Sequence, residues 1–178
     1  MDIFSHGLWS YVIFNKKDKW KAVLSGILPD IISFGPYFVM SIFAGSFTRG
    51  KPGLDSLPSY VFSLYNITHS FITFVLIALL LYIITRKFYL WLLAWPLHVF
   101  IDIFSHDASF FPTPFLYPIS NYRFSGYNWA HPKFIIINYI LLIIAYVYLS
   151  ANKKRNKDDK PERDNNRNKL NKKRNKKV

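Results

Sequence analysis

The spacing of apolar and polar residues predicts four membrane-spanning helices, at about 22–44, 60–85, 89–105 and 134–149. Residues 74–84 of the second segment are almost entirely aliphatic. A helix needs roughly 20 apolar residues to span a bilayer, so the third and fourth segments are short unless their flanks extend them. Pro29, Asp30 and Pro36 interrupt the first segment, which we therefore expect to be broken. The pattern predicts an all-α, polytopic transmembrane helical bundle.

An apolar stretch also precedes the first span, at residues 3–14, but it is too short to cross a bilayer. We expect it to form an interfacial or re-entrant helix. Its positive charges, which begin at Lys16, follow the apolar stretch, whereas those of a secretory signal peptide precede it. The stretch is therefore predicted to belong to the membrane domain.

The net charge of +13 is concentrated in the last part of the sequence. Residues 152–178 contain 13 Lys and Arg against four Asp and Glu, a balance of +9, and have almost no apolar side chains. Such a segment cannot bury enough surface to offset its chain entropy, so we predict a membrane domain at 1–151 and a disordered basic tail at 152–178. A nucleic-acid arm is one interpretation of the tail, but after a membrane segment we favour contact with anionic lipid headgroups.

Basic residues also predict the orientation of the helices. The run from Lys16 to Lys21, the turn at Arg86 and Lys87, and the tail all fall on one side of a four-span bundle. Because cytoplasmic loops are enriched in Lys and Arg, both termini are predicted to be cytoplasmic. The 107–132 loop then faces outward. It is rich in Pro, Phe and Tyr, which favours an ordered cap over a flexible tether.

The candidate chemistry comes from histidine and aspartate, because the chain has no cysteine to supply a thiolate ligand. His98, Asp102 and His106 recur every four residues, so on a helix they project within about 80° of one another. Ionisable groups in a membrane helix cost free energy unless they face a partner, a metal or a water-filled cavity. The candidate metal ligands of the whole chain are His6, Asp30, His69, His98, Asp102 and His106. Imidazole and carboxylate ligands suit zinc, and also manganese or iron.

Each candidate also has a purely structural interpretation. His69 alone would more commonly pair with a backbone carbonyl, and Asp30 could accept hydrogen bonds from local backbone donors. His98 and Asp102 could form a hydrogen-bonded pair within one helix without any metal. His106 can equally be a solvated helix end.

Five short motifs occur in a fixed order: Met1–His6, Leu28-Pro29-Asp30, Thr68-His69-Ser70, His98-x-x-x-Asp102 and Phe115–Ser120. In order and spacing they resemble the inner-membrane metal-dependent hydrolases of the YdjM/DUF457 type, and the His-x-x-x-Asp pair is similar to that of zinc-dependent phospholipase C. The resemblance covers about residues 1–132. It implies a helical bundle, hydrolysis of a phosphoester, and a metal site formed by His6, Asp30, His69, His98 and Asp102. Leu64 and Tyr65 stand where the family often has His and Arg.

We therefore expect a membrane-bound metal-dependent hydrolase that attacks a lipid phosphoester with a metal-activated water. His69, His98 and Asp102 would hold the ion, with His6 and Asp30 as further ligands or as the catalytic base. The alternative is a non-catalytic membrane protein, a transporter or an assembly factor, whose buried His and Asp relay protons or pair helices. The predicted spans place His69 and Asp102 toward one side of the bilayer, and Asp30 and His6 toward the other.

Overall fold

A computed structural model of the protein describes residues 1–15, 18–47 and 52–175. Within these residues all regular structure is helical, which confirms the predicted all-α class. The α-helices are α1 (Ile3–Ile13), α2 (Lys19–Phe43), α3 (Ser59–Thr68), α4 (Phe71–Thr85), α5 (Ala94–Ser105) and α6 (Pro132–Asn175), and 3-10 turns lie at Leu54–Ser56 and Leu90–Leu93. The chain forms two compact units, Met1–Tyr139 and Ile140–Val178.

Among the described residues, two helices are long and apolar enough to cross a membrane: α2 and the Pro132–Arg155 part of α6. A third span results if α3 and α4, which meet at an angle of 63°, cross together as one broken span. The four predicted spans are not all confirmed, because the apolar segment Leu90–Ser105 is shorter than a spanning helix. In α4, which is described throughout, no residue is buried and its aliphatic side chains are exposed, as expected of a helix that contacts lipid.

The expectation that the first span is broken is wrong, since α2 continues through both Pro29 and Pro36. Each proline removes one backbone donor, but packed neighbours and local side-chain hydrogen bonds make such losses tolerable in membrane helices. Here α1, α3 and α5 all pack against α2. α2 is therefore the central helix of the first unit.

The predicted N-terminal helix is present as α1. Asp2 caps it, because its carboxylate accepts a hydrogen bond from the backbone of Ser5 at 2.9 Å. The buried face of α1 is made of small and polar residues, including His6 and Ser10. α1 approaches α2 closely at Gly26, where a Cβ atom would lie 3.0 Å from the Cβ of Ser10 and would overlap its hydroxyl. A glycine at this position lets α1 bring His6 toward the middle of the unit.

The joint between α3 and α4 is held by hydrogen bonds from two other segments. The carbonyl oxygen of Thr68, at the end of α3, accepts a bond from the indole of Trp95 on α5 at 2.8 Å. The backbone N–H of Phe71, at the start of α4, donates to the carbonyl of Phe115 in the 107–131 loop at 2.9 Å. These bonds satisfy backbone groups that the interruption of the helix would otherwise leave unpaired. They fix His69, which lies between the two helices.

The 107–131 loop folds back onto the end of α5. The N–H groups of Gly126, Tyr127 and Trp129 donate to carbonyl oxygens of residues 104–106 at 2.7–3.0 Å. Gly126 is required there, since a Cβ atom would lie 2.5 Å from the Phe104 carbonyl carbon. Phe110 and Phe111 of the loop are buried in the apolar cluster that the first unit forms around α3.

The predicted disordered tail is helical in the structure over residues 152–175, which belong to α6. The basic segment continues a helix that is already formed by the apolar part of α6. It can therefore extend that helix without the free-energy cost of nucleating a new one. Lys and Arg are also good helix formers, although they cannot supply an apolar core. Residues 176–178 of the predicted tail lie outside the described residues. So do Lys16 and Lys17, on which the predicted orientation partly depends.

We predict that Gly26→Ala destabilises the protein by about 1–3 kcal/mol, since the added methyl group must displace Ser10 and with it α1. Ser10→Gly removes the overlapping atoms, so the double variant should lose less stability than the two single changes summed. Thermal unfolding in detergent measures the stability of the two single variants and of the double variant. Gly35→Ala on the same helix is the matched control, because its Cβ would meet only Ile31 Cγ2 at 3.7 Å. Equal effects at Gly26 and Gly35 would contradict the close approach.

Candidate metal centre

Four ionisable side chains from separate parts of the first unit converge on one point: Asp30, His69, His98 and Asp102. One nitrogen or oxygen atom from each lies within 4.8 Å of the others. α2 supplies Asp30, the joint between α3 and α4 supplies His69, and α5 supplies His98 and Asp102 one turn apart. The structure therefore brings together four of the six predicted ligands.

The distances within this group are short. The Nε2 atoms of His69 and His98 lie 3.0 Å apart. Asp102 Oδ2 lies 3.5 Å from the first of these nitrogens and 3.2 Å from the second. Asp30 Oδ1 lies 3.4 Å from His69 Nε2 and 3.9 Å from His98 Nε2. A cation placed among the four atoms would thus need only small side-chain adjustments to contact each of them at about 2.0–2.2 Å, the distances typical of zinc.

Backbone carbonyl groups determine which nitrogen of each histidine faces the centre. His98 Nδ1 lies 2.6 Å from the carbonyl oxygen of Gly26, and His69 Nδ1 lies 3.2 Å from that of Tyr65. A carbonyl oxygen can only accept a hydrogen bond, so each Nδ1 carries a proton and Nε2 is the nitrogen left to bind a cation. Such contacts from the remote nitrogen are the usual way in which proteins orient histidine ligands of a metal.

When both imidazoles are neutral, as binding of a metal requires, the site is a cluster of acceptors without a donor. Two imidazole lone pairs and two carboxylate oxygens then face one another. Asp102 Oδ2 has no hydrogen-bond partner among the residues that the structure describes. The side chains of His69, His98 and Asp102 are fully buried, and that of Asp30 is 12% exposed. Buried acceptors that repel one another are costly unless a positive charge lies between them. The site therefore fits a divalent cation.

The second oxygen of Asp102 faces a different set of groups. His6 Nε2 lies 2.9 Å from Oδ1, the Ser105 hydroxyl donates to it at 3.2 Å, and His106 Nε2 lies 3.5 Å away. The amino group of Met1 also contacts this oxygen. His6 and His106, two of the predicted ligands, are thus adjacent to the four-residue cluster through Asp102 and do not belong to it. A direct bond from either to the metal remains a prediction.

His6 and several residues outside the predicted ligand set surround the four ligands. The Tyr65 ring stacks on His69 at 3.7 Å between ring centroids, and His6 stacks on His98 at 3.6 Å. Thr68 Oγ1 lies 3.0 Å from His69 Nδ1 and 2.8 Å from the Ser33 hydroxyl. Thr68 precedes His69 directly, so its proximity could have been predicted. The distant partner Ser33 gives no local signal.

The expected difference in depth between the ligands is not found. Asp30 lies near the middle of α2 and His69 lies at the break within the α3–α4 pair, so both are remote from the ends of these candidate spans. The segment that contains α5 is shorter than a span, which removes the constraint that placed Asp102 near one surface. The prediction treated every apolar segment as a straight, complete span. It therefore gave the wrong depth for the ligands on the broken pair α3–α4 and on the short helix α5.

The fold and the site define a membrane-associated helical protein with a buried candidate metal centre. Nitrogen and oxygen donors in this set suit zinc, manganese or iron. No protein-family model, curated protein or solved structure matches the chain. Its function is therefore inferred from the chemistry of the site and from the order of its motifs.

We predict that Thr68→Val weakens metal binding about ten-fold, because His69 Nδ1 loses one of its two acceptors and the imidazole becomes less firmly oriented. Competition with a chromophoric chelator measures the affinity. Thr85→Val, which removes a hydroxyl bonded only within the end of α4 and at the following residues, is the control and should leave the affinity unchanged. Equal affinities for the two variants would show that Thr68 does not support the ligand.

Proposed function

We propose that this protein is a membrane-bound metal-dependent hydrolase of the YdjM/DUF457 type that acts on a lipid phosphoester. The observation that supports the proposal most strongly is the convergence of two carboxylates and two imidazoles on one buried point of a membrane-associated protein. Burying ionisable groups in a membrane protein costs free energy, and the groups that are found there are commonly functional. The proposed setting is a multi-pass protein of the inner membrane with both termini in the cytoplasm.

In this proposal Asp30, His69, His98 and Asp102 hold a divalent cation, preferably zinc. A cation at this site, when bound, polarises a phosphoryl oxygen and lowers the pKa of water to near neutrality. The carboxylates neutralise its charge. The hydrogen bonds that the two Nδ1–H groups donate to the carbonyl oxygens of Gly26 and Tyr65 keep Nε2 of each imidazole directed inward. Asp30 is the least buried ligand, so the substrate is proposed to approach from its side.

His6 is proposed as the group that accepts and returns a proton. Its Nε2 faces the Asp102 carboxylate at 2.9 Å, so that nitrogen donates and Nδ1 carries the lone pair. Nδ1 is buried and has no hydrogen-bond partner among the described residues. A carboxylate that orients an imidazole whose other nitrogen is free is a recurrent arrangement for acid–base catalysis. Asp30, the other predicted catalytic residue, is assigned here to the metal.

The depth of the site favours a lipid substrate. Asp30 lies about 16 Å along the axis of α2 from its first residue, close to half the length of that candidate span. A water-soluble ester would have to cross this distance through apolar surroundings, whereas a lipid is already dissolved in the bilayer. The phosphoester would then reach the metal laterally between helices.

The same depth supports a second candidate function. Transporters hold their ions near the middle of the membrane, at places where helices are interrupted. His69 lies at such an interruption. In this alternative the cation is cargo and is released, whereas in the hydrolase it stays bound during turnover.

We predict that purified protein contains about one divalent metal ion per chain and that Asp102→Asn and His98→Ala abolish this content. Asp102→Asn preserves the shape of the side chain but removes the charge of a ligand. Elemental analysis after exhaustive dialysis in detergent makes the measurement, and retention through dialysis distinguishes a resident metal from released cargo. Asp55→Asn and His131→Ala change exposed residues outside the site and should leave the content intact. Metal-free wild-type protein would refute the proposal.

We predict that His6→Gln retains the metal but lowers the rate of phosphoester hydrolysis by about 100-fold or more. The glutamine amide can still donate to Asp102 Oδ1, so the metal site is preserved while the basic nitrogen is lost. A screen of phospholipids in mixed micelles identifies a substrate for the wild type, and the variant is then compared on it. Full activity of His6→Gln with full metal content would remove His6 from the mechanism.

A further inference from the structure

We propose that Tyr65 is a positioning residue that links His69 to the 107–131 loop, so that metal binding and close packing of the loop support each other. The inference rests on the proposed metal site and adds to it a residue outside the ligand set. Tyr65 lies on α3, one turn before His69, and only 1% of its surface is exposed. Its ring and its backbone carbonyl contact the ligand. Its hydroxyl is hydrogen-bonded to the loop, and its ring also packs edge-to-face against Phe111 at 4.8 Å.

The contacts with the ligand fix both the position and the rotation of the imidazole. The Tyr65 ring lies parallel to that of His69, with centroids 3.7 Å apart and planes inclined by 20°. The backbone carbonyl of Tyr65 accepts the hydrogen bond from His69 Nδ1 at 3.2 Å. Movement of Tyr65 therefore moves the imidazole that would bind the metal.

The contact with the loop goes through the phenol. The Tyr65 hydroxyl donates to the carbonyl oxygen of Phe111 at 2.9 Å and lies 3.2 Å from Thr113 Oγ1. His106 Nδ1, at the end of α5, lies 2.9 Å from the same carbonyl oxygen. The Phe111 carbonyl oxygen is thus contacted by one group from α3 and by another from the end of α5.

Phe111 has an unfavourable backbone conformation that needs these contacts. Its φ is 50°, in the left-handed region that a residue with a large side chain rarely adopts. Such a residue persists where its surroundings hold it, and this commonly occurs at functional sites. The Phe111 ring packs against Phe62 at 5.0 Å and Phe34 at 5.1 Å, while its carbonyl receives the two donors. Loss of the Tyr65 donor would favour relaxation of the loop.

The rigid Tyr65 ring connects the contact with His69 to the hydrogen bond with the Phe111 carbonyl. When a cation holds His69, the stacked phenol is held too, and its hydroxyl stays within reach of the Phe111 carbonyl. When the loop is packed, the same bond keeps the ring against His69 and the imidazole directed inward. By linkage, the stabilisation of the loop by metal equals the stabilisation of bound metal by the loop.

Hydrogen exchange of the wild-type protein, with and without Zn²⁺, tests the link directly. We expect Zn²⁺ to slow exchange of the amides in residues 107–117. In Tyr65→Phe, which keeps the ring and the backbone carbonyl, this slowing should largely disappear and Zn²⁺ affinity should fall about ten-fold. Tyr60→Phe is the matched control, because it makes the same change on the same helix, and the hydrogen bond that the Tyr60 hydroxyl makes within the described residues goes to Met40 Sδ, at 3.7 Å. The control should behave as wild type.

The outcomes separate this inference from the proposed function. Wild-type protein that binds Zn²⁺ without any change in exchange of the loop overturns the link but leaves the metal site standing. The same conclusion follows if Tyr65→Phe and Tyr60→Phe respond alike. Wild-type protein that binds no Zn²⁺ overturns both proposals. The wild-type comparison decides the question even if Tyr65→Phe fails to fold.

Discussion

The burial of the Asp102 carboxylate is the constraint on which the rest of the first unit depends. Its side chain is fully inaccessible, and its two oxygens face two different sets of groups. One oxygen is directed at His69 and His98, and the other at His6 and Ser105. A buried charge is tolerated only when opposite charge and hydrogen bonds surround it. The packing of α1, α5 and the α3–α4 joint around this point follows from that need.

The helices differ in what they contribute because they differ in composition. α4 is almost wholly aliphatic, buries no residue of its own and supplies no ligand. α1, α2 and α5 carry small or polar residues on their inner faces, including Ser10, Gly26 and Ser105. Small residues let helices approach closely, and hydroxyl groups provide acceptors and donors where water is absent. The polar centre is therefore surrounded by helices whose outer faces suit lipid.

The sequence predicted the helical class and which residue types would form the site, because these depend on local pattern. His98 and Asp102 are one turn apart, so a helix necessarily places them on one side. The sequence did not predict how α2 would pass through Pro29, since that depends on helices packed around it. It also misplaced Asp30 relative to Asp102, because hydropathy gives the length of an apolar segment and not its depth. The roles of Gly26 and Tyr65 arise from contacts between distant segments, which no local pattern encodes.

The four converging acceptors all come from the first compact unit, Met1–Tyr139, and none from Ile140–Val178. The proposed chemistry and the strongly basic stretch of α6 are therefore separable within one polypeptide. Changes in the length or charge of that stretch can accumulate during evolution without disturbing a single ligand.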